Sequence, residues 1–150
     1  MKKITKMLLI NWFNFSIEVI DFNDINFLTG ENGTGKSTII DALQLLFLVD
    51  TSGTYFNKAA NDKSDRTLQG YLRCEFGYDD ENGLKYKRNT RFTSYIACEF
   101  FDDERNDYFT AGFCYDFFSP QDDERKFFYM MVKCVTTILL LIISLWIFSL

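Results

Sequence analysis

An α/β fold is predicted: a strand, glycine loop and helix beside a mostly antiparallel sheet, with an apolar helix at the C-terminus. Three features of the 150-residue chain predict it. Short runs rich in Ile, Leu and Phe open the chain between Asn and Asp turn formers. The stretch GENGTGKST, Gly30 to Thr38, precedes apolar residues at helical spacing. From Tyr71 onward, strand-like runs alternate with Asp-Asp, Asn-Gly and Asp-Glu-Arg-Asn breaks.

Taken in order, Lys6 to Trp12, Ser16 to Phe22 and Ile25 to Thr29 read as strands, with Asn23-Asp24 as a tight turn between the second and third. Ser37 to Leu48 places Ile39, Ile40, Leu43, Leu46 and Phe47 at helical spacing and meets no Pro or Gly before Gly53, so a helix starts at the loop. Asp50 to Gly70, rich in Ser, Thr, Asn, Asp and Lys, reads as an irregular segment, either a solvated connection or a partner-contacting loop. Strands follow at Tyr71 to Tyr78, Leu84 to Arg88, Thr93 to Phe101 and Tyr108 to Phe118, and Asp80-Glu81-Asn82-Gly83 reads as a hairpin turn.

Composition narrows the function classes. With 47% hydrophobic and 25% charged residues the chain is globular rather than disordered, and one domain is the default. A net charge of -5 argues against a dedicated nucleic-acid-binding module, which normally carries a basic excess, while leaving room for a local patch. Cys74, Cys98, Cys114 and Cys134 include no C-x-x-C pair and the chain has no His, so neither zinc nor redox spacing is present; reduced, packed thiols in a cytosolic protein are expected. Met7 to Ile10 is too short for a signal-peptide core, which also points to the cytoplasm.

The chemistry concentrates in the glycine loop. Gly30 to Ser37 satisfies G-x-x-x-x-G-K-[ST], a pattern that a chain of this length meets by chance on the order of once in two hundred. The predicted strand, loop and helix follow one another as a P-loop requires. Triphosphate oxygens need many N–H donors at close range. Glycines at 30, 33 and 35 let the backbone turn its amides inward, and the helix start adds free N–H groups and a positive dipole end. Lys36 is expected to reach the β- and γ-phosphates of ATP, Ser37 to offer its hydroxyl to Mg2+, and Thr38 to lie near the α-phosphate through backbone or hydroxyl. Asn32 and Thr34 complete the expected cofactor-binding set, although their side chains, like that of Glu31, also read as loop filler.

The stretch MLLINWFNFSIEVIDFNDINFLTGENGTGKSTIIDALQLLFL, Met7 to Leu48, resembles the N-terminal head segment of SMC-like ATPases, the group containing SMC, SbcC, RecF and RecN. Asn11-Trp12 and Ile40-Asp41-Ala42-Leu43 carry the likeness around the loop. DTSGTYFNKAANDKSDRTLQGYLRCEFG and RNTRFTSYIACEFFDDE look like the MksF and JetC branch, the ATPases of the Wadjet anti-plasmid system, so the resemblance covers about residues 6 to 118. It implies the N-terminal lobe of an ABC-type head, split by a coiled coil, that dimerises around ATP and acts on DNA in plasmid defence, chromosome organisation or repair. In that architecture a C-terminal lobe supplies the catalytic glutamate and a second head the signature residues. This chain shows no heptads, no Walker B run, no L-S-G-G and no switch His. It is therefore expected to bind ATP without turning it over until that lobe and second head are supplied, and no catalytic residue is assigned. An inactive remnant is the alternative. A transporter's nucleotide-binding subunit is another, since Thr51-Ser52-Gly53 is faintly similar to those ATPases.

Other residues have two readings. Lys85, Lys87, Arg88 and Arg91, interleaved with Tyr86 and Phe92, could meet DNA phosphates but fit a charged hairpin edge better. Arg66 and Arg73 fit nucleotide, DNA or ordinary surface roles alike, and Gln121 is read as surface. Every Asp and Glu precedes Lys126, and the chain divides into a lobe, 1 to 126, and an apolar tail, 127 to 150. Cys134 to Leu150, 17 uncharged residues, would span about 26 Å as a helix, a borderline membrane span. Out-of-frame translation of an AT-rich gene, giving a truncated head, is the favoured origin of the tail. A genuine anchor, with Arg125, Lys126 and Lys133 on the cytoplasmic side, is the alternative.

Overall fold

The computed structural model describes residues 1–49, 51–52, 56, 67–81, 83–118 and 123–130, the last stretch by its backbone alone. The described elements are β1 (Lys2–Trp12), β2 (Phe15–Asp21), α1 (Lys36–Leu48), α2 (Leu68–Arg73), β3 (Glu75–Asp79), β4 (Gly83–Tyr86), β5 (Phe92–Asp102), β6 (Asp107–Phe117) and β7 (Asp123–Met130).

Five strands form one sheet in the order β2-β1-β5-β6-β7, and β3-β4 make a separate two-stranded ribbon. Each described pairing is antiparallel. Directly opposed residues share a face, so Met7 with Cys98, and Leu9 with Ile96 and Phe113, form cross-strand rows. These rows pack against Ala42, Leu45 and Leu46 of α1 and Leu68, Tyr71 and Leu72 of α2, giving a buried cluster on the helix side of the sheet.

Strict alternation would put Trp12 with Leu8 and Ile10, which lie outside that cluster, yet Trp12 is in it. Asn11 interrupts the alternation with a φ of 51°. Asn and Asp tolerate this left-handed conformation better than most residues, and Asn11 is tied down on both polar ends. Its side chain donates to the Thr93 carbonyl at 2.8 Å, and its own carbonyl accepts from the Ser94 hydroxyl at 2.9 Å.

Several expectations are corrected. Ile25 to Thr29, predicted as a strand, is not in one: no ladder bonds hold it among the described residues, and Ile25 and Phe27 are 74% and 84% exposed. An extended segment becomes a strand only when a neighbour satisfies its backbone. The turn before it does form, clasped by Asn26, whose carboxamide accepts from Asn23 N at 2.8 Å and donates to Asn23 O at 2.7 Å.

Tyr71 to Arg73, predicted to open a strand, belong to α2, because Thr67 caps that helix by accepting from Gly70 N at 2.9 Å and Cys74, with φ 56°, ends it. The helix therefore starts inside the stretch expected to be irregular; residues 50, 53–55 and 57–66 of that stretch, with Arg66, lie outside the described residues. Phe127 to Met130, the start of the stretch read as an apolar tail, are paired in β7 (Asp123–Met130), while Cys134 to Leu150, the expected apolar helix, lies outside the described residues. Residues 131–150, Gln121 and Asn82 also lie outside the described residues. Among those described, no helix is long and apolar enough to cross a membrane.

Candidate nucleotide-binding site

The loop joins β2 to α1 and takes the conformation its glycines allow. Gly30, Gly33 and Gly35 have φ values of 145°, 87° and 97°, the left-handed region that residues with a Cβ rarely enter. Gly35 is the N-cap of α1, and a Cβ there would also lie 2.6 Å from Phe15 Cζ. Both backbone and space thus demand glycine at the point where loop becomes helix.

Lys36 turns back over the loop: its Nζ donates to the Gly30 carbonyl at 2.7 Å and to the Glu31 carbonyl at 2.6 Å. Thr34 Oγ1 donates to the same Glu31 carbonyl at 2.9 Å, which makes Thr34 a brace of the loop rather than filler. The ammonium's partners here are neutral carbonyls, so an anionic oxygen, which forms charge-assisted bonds roughly twice as strong, can compete for it.

The start of α1 is equally receptive to an anion. No side chain caps it and no acidic residue lies in its first turn. Its first intrahelical bond runs from Ile39 N to Gly35 O at 3.0 Å, and amides ahead of that bond have no intrahelical acceptor. Ser37 lies half-buried in this turn. Asn32 and Gly33 are exposed at the loop tip, Thr38 is buried, and the Thr38 carbonyl accepts the Trp12 indole N–H at 2.9 Å. Gly30, Asn32, Gly33, Thr34, Gly35, Lys36 and Ser37 thus line one loop and helix start, while Thr38 faces the core.

Trp12 stacks on Tyr71, with ring centroids 4.7 Å apart, and the Tyr71 hydroxyl donates to the buried carboxylate of Asp41 on α1. The Tyr71 carbonyl also accepts from Phe13 N at 2.8 Å. The end of β1, α2 and the loop's helix are therefore locked together. Reading the sequence identified Asn11-Trp12 and Asp41 only as marks of resemblance; their work in seating α1 depends on Tyr71, which carries no local signal for it.

The basic stretch is largely consumed by structure. Lys85 pairs with Asp79 at 2.8 Å, Arg73 lies over the Tyr86 ring at 4.6 Å, and Arg91 lies over Phe118 at 4.8 Å. Arg88 is half-buried and donates to the carbonyls of Leu72 at 3.0 Å and Phe15 at 3.3 Å. Burial draws its pKa below the usual arginine value, and it stays a cation. Cys74 and Cys98 are buried free thiols, Cys114 is a partly buried one, and no cluster of metal-binding side chains is found among the described residues.

Residues 4–63 match the family described as the P-loop containing region of AAA domain. No curated protein matches the sequence. With the loop geometry, the family match makes the N-terminal part of this chain a P-loop NTPase-like segment, of a kind that binds nucleotide with Mg2+.

Proposed function

We propose that the chain is the ATP-binding N-terminal half of an SMC-like ATPase head, which acts on DNA once a second lobe and a second head complete it. The observation that carries the nucleotide reading is the Lys36 ammonium held by two loop carbonyls beside an uncapped helix start. Mg2+ with ATP would neutralise phosphate charge; Lys36 and the first amides of α1 would hold the phosphates, and Ser37 would face the metal. Asn11-Trp12 and Ile40-Asp41-Ala42-Leu43 support the SMC-like assignment.

The need for a second lobe is supported by the loop's flanks. Ile25, Phe27 and Leu28 before the loop, and Ile40, Phe47, Leu48 and Val49 along and just after α1, are exposed. A helix apolar on all sides fits the interior of a larger body rather than a surface.

Equilibrium titration with a fluorescent ATP analogue and Mg2+ tests the binding reading. Micromolar binding by the wild type, lost in Lys36→Ala with an unchanged thermal midpoint, is expected; equal affinity in the two proteins would sink it. Ser37→Ala should weaken binding only when Mg2+ is present.

A further inference from the structure

Arg88 lies 52 residues beyond the loop lysine in sequence, yet it reaches the strand on which the loop rests. Phe15 opens β2, opposite Trp12, and its ring lies so close to Gly35 that a Cβ there would have no room. Gly35 turns the loop into α1, so the direction of the amides that follow depends on where that ring sits. Arg88 holds the Phe15 backbone from behind, Nη2 to the Phe15 carbonyl and Nη1 to the Leu72 carbonyl. Its own N–H donates to Arg73 O at 2.9 Å.

A half-buried cation normally has an acidic partner, because desolvating a charge is costly. Among the described residues no carboxylate pairs with Arg88, and the side-chain hydrogen bonds it makes go to main-chain carbonyls on two separate segments. Spanning two such acceptors uses the planar fork of a guanidinium, which a lysine ammonium lacks.

We propose that Arg88 is a positioning residue for the phosphate loop: by clamping the Phe15 carbonyl to α2 it holds the Phe15 ring beneath Gly35 and so presets the amides that receive phosphate. This rests on the nucleotide-binding reading. Arg88 acts through Phe15 and does not itself touch the ligand.

The experiment is a double-mutant cycle of Arg88→Lys and Phe15→Leu. It is read by Mg2+ with the fluorescent ATP analogue, by the amide resonances of Gly35 and Lys36 in the ligand-free protein, and by urea midpoints. Arg88→Lys keeps the charge and removes the fork; Phe15→Leu keeps the carbonyl and removes the ring. Each should weaken binding about tenfold, equal to about 1.4 kcal/mol, and shift both amide resonances. The double variant should be no weaker than Phe15→Leu alone, since the second change has nothing left to act through.

Multiplying losses would show that Arg88 acts independently of Phe15 and would overturn the proposal. Wild-type affinity and resonances in Arg88→Lys would do the same. If Arg88→Lys does not fold, Phe15→Leu binding at wild-type strength still overturns it. Should the wild type bind no nucleotide, the functional reading fails, and the amide resonances alone decide whether Arg88 positions the loop.

Discussion

The two sides of α1 behave in opposite ways. Toward the sheet, Ala42, Leu45 and Leu46 are buried against Met7, Leu9 and Trp12, and Thr38 and Asp41 are enclosed with them. Away from it, Ile40, Phe47 and Leu48 are exposed, and the segment entering the loop exposes Ile25, Phe27 and Leu28 as well. The difference teaches that the support beneath the phosphate loop is built within the lobe, while the loop's outer flanks stay exposed among the described residues. On the proposed reading, the first surface belongs to folding and the second to assembly.

The largest effect expected from breaking this contrast is on the inner side. Trp12→Ala removes a fully buried ring stacked on Tyr71 and the donor to Thr38, and should destabilise the lobe by about 3–5 kcal/mol in urea unfolding. A loss below about 1 kcal/mol would mean that the core is not organised around it.

Next comes Lys36→Ala, where the contrast moves from stability to ligand. Its nucleotide affinity should fall by at least about tenfold, while urea stability changes by less than about 0.5 kcal/mol because the side chain bonds only loop carbonyls.

On the outer side the contrast is sharpest in its sign. Phe27→Asp together with Phe47→Asp should leave stability within about 1 kcal/mol, since both rings are exposed, while self-association at high concentration falls. Light scattering unchanged from wild type would count against an assembly surface there.

The smallest effect concerns acid. A hydrogen bond from Lys3 at 2.8 Å, reinforced by its charge, holds Asp24 below its usual 3.8. A carboxylate lowered in this way adds stability above the ordinary carboxylate range, and the contribution fades as pH falls through its folded-state pKa. Both groups are exposed, so the contribution is slight. Lys3→Ala should return the Asp24 titration, followed by NMR, to the ordinary range with little change in unfolding.

Much of the site was legible in the sequence because its conformation is local. Three glycines in a fixed spacing, a lysine and serine at the helix start, and the onset of α1 at Lys36 are consequences of backbone freedom and hydrogen bonding within nine residues. The turn at Asn23 and the hairpin closing at Gly83, with φ 75°, follow from similarly short-range chemistry. The antiparallel pairing of β5 and β6 was readable from two strand-like runs separated by the short charged break Asp-Glu-Arg-Asn.

What the sequence could not disclose depends on residues far away along the chain. Ile25 to Thr29 has the composition of a strand, yet strand formation belongs to a pair and not to a segment. Tyr71 to Arg73 is equally apolar in helix or strand, and the Thr67 cap with the stacking of Tyr71 on Trp12 settles it as helix. Apolar residues on both faces of α1 left its orientation open, and packing buried Ala42 and Leu45 while exposing Ile40 and Phe47, which had read as part of the apolar stripe. Arg88 looked like one charge in a basic patch, and only the return of the chain past Leu72 and Phe15 made it a clamp. By itself, then, the sequence determined the phosphate loop, the start of its helix and the local turns, because glycine torsions and short-range hydrogen bonds act within a few residues. Tertiary structure decided which faces are buried, which apolar segment pairs and what each arginine holds, because burial and ladder bonds exist only between partners that the fold brings together.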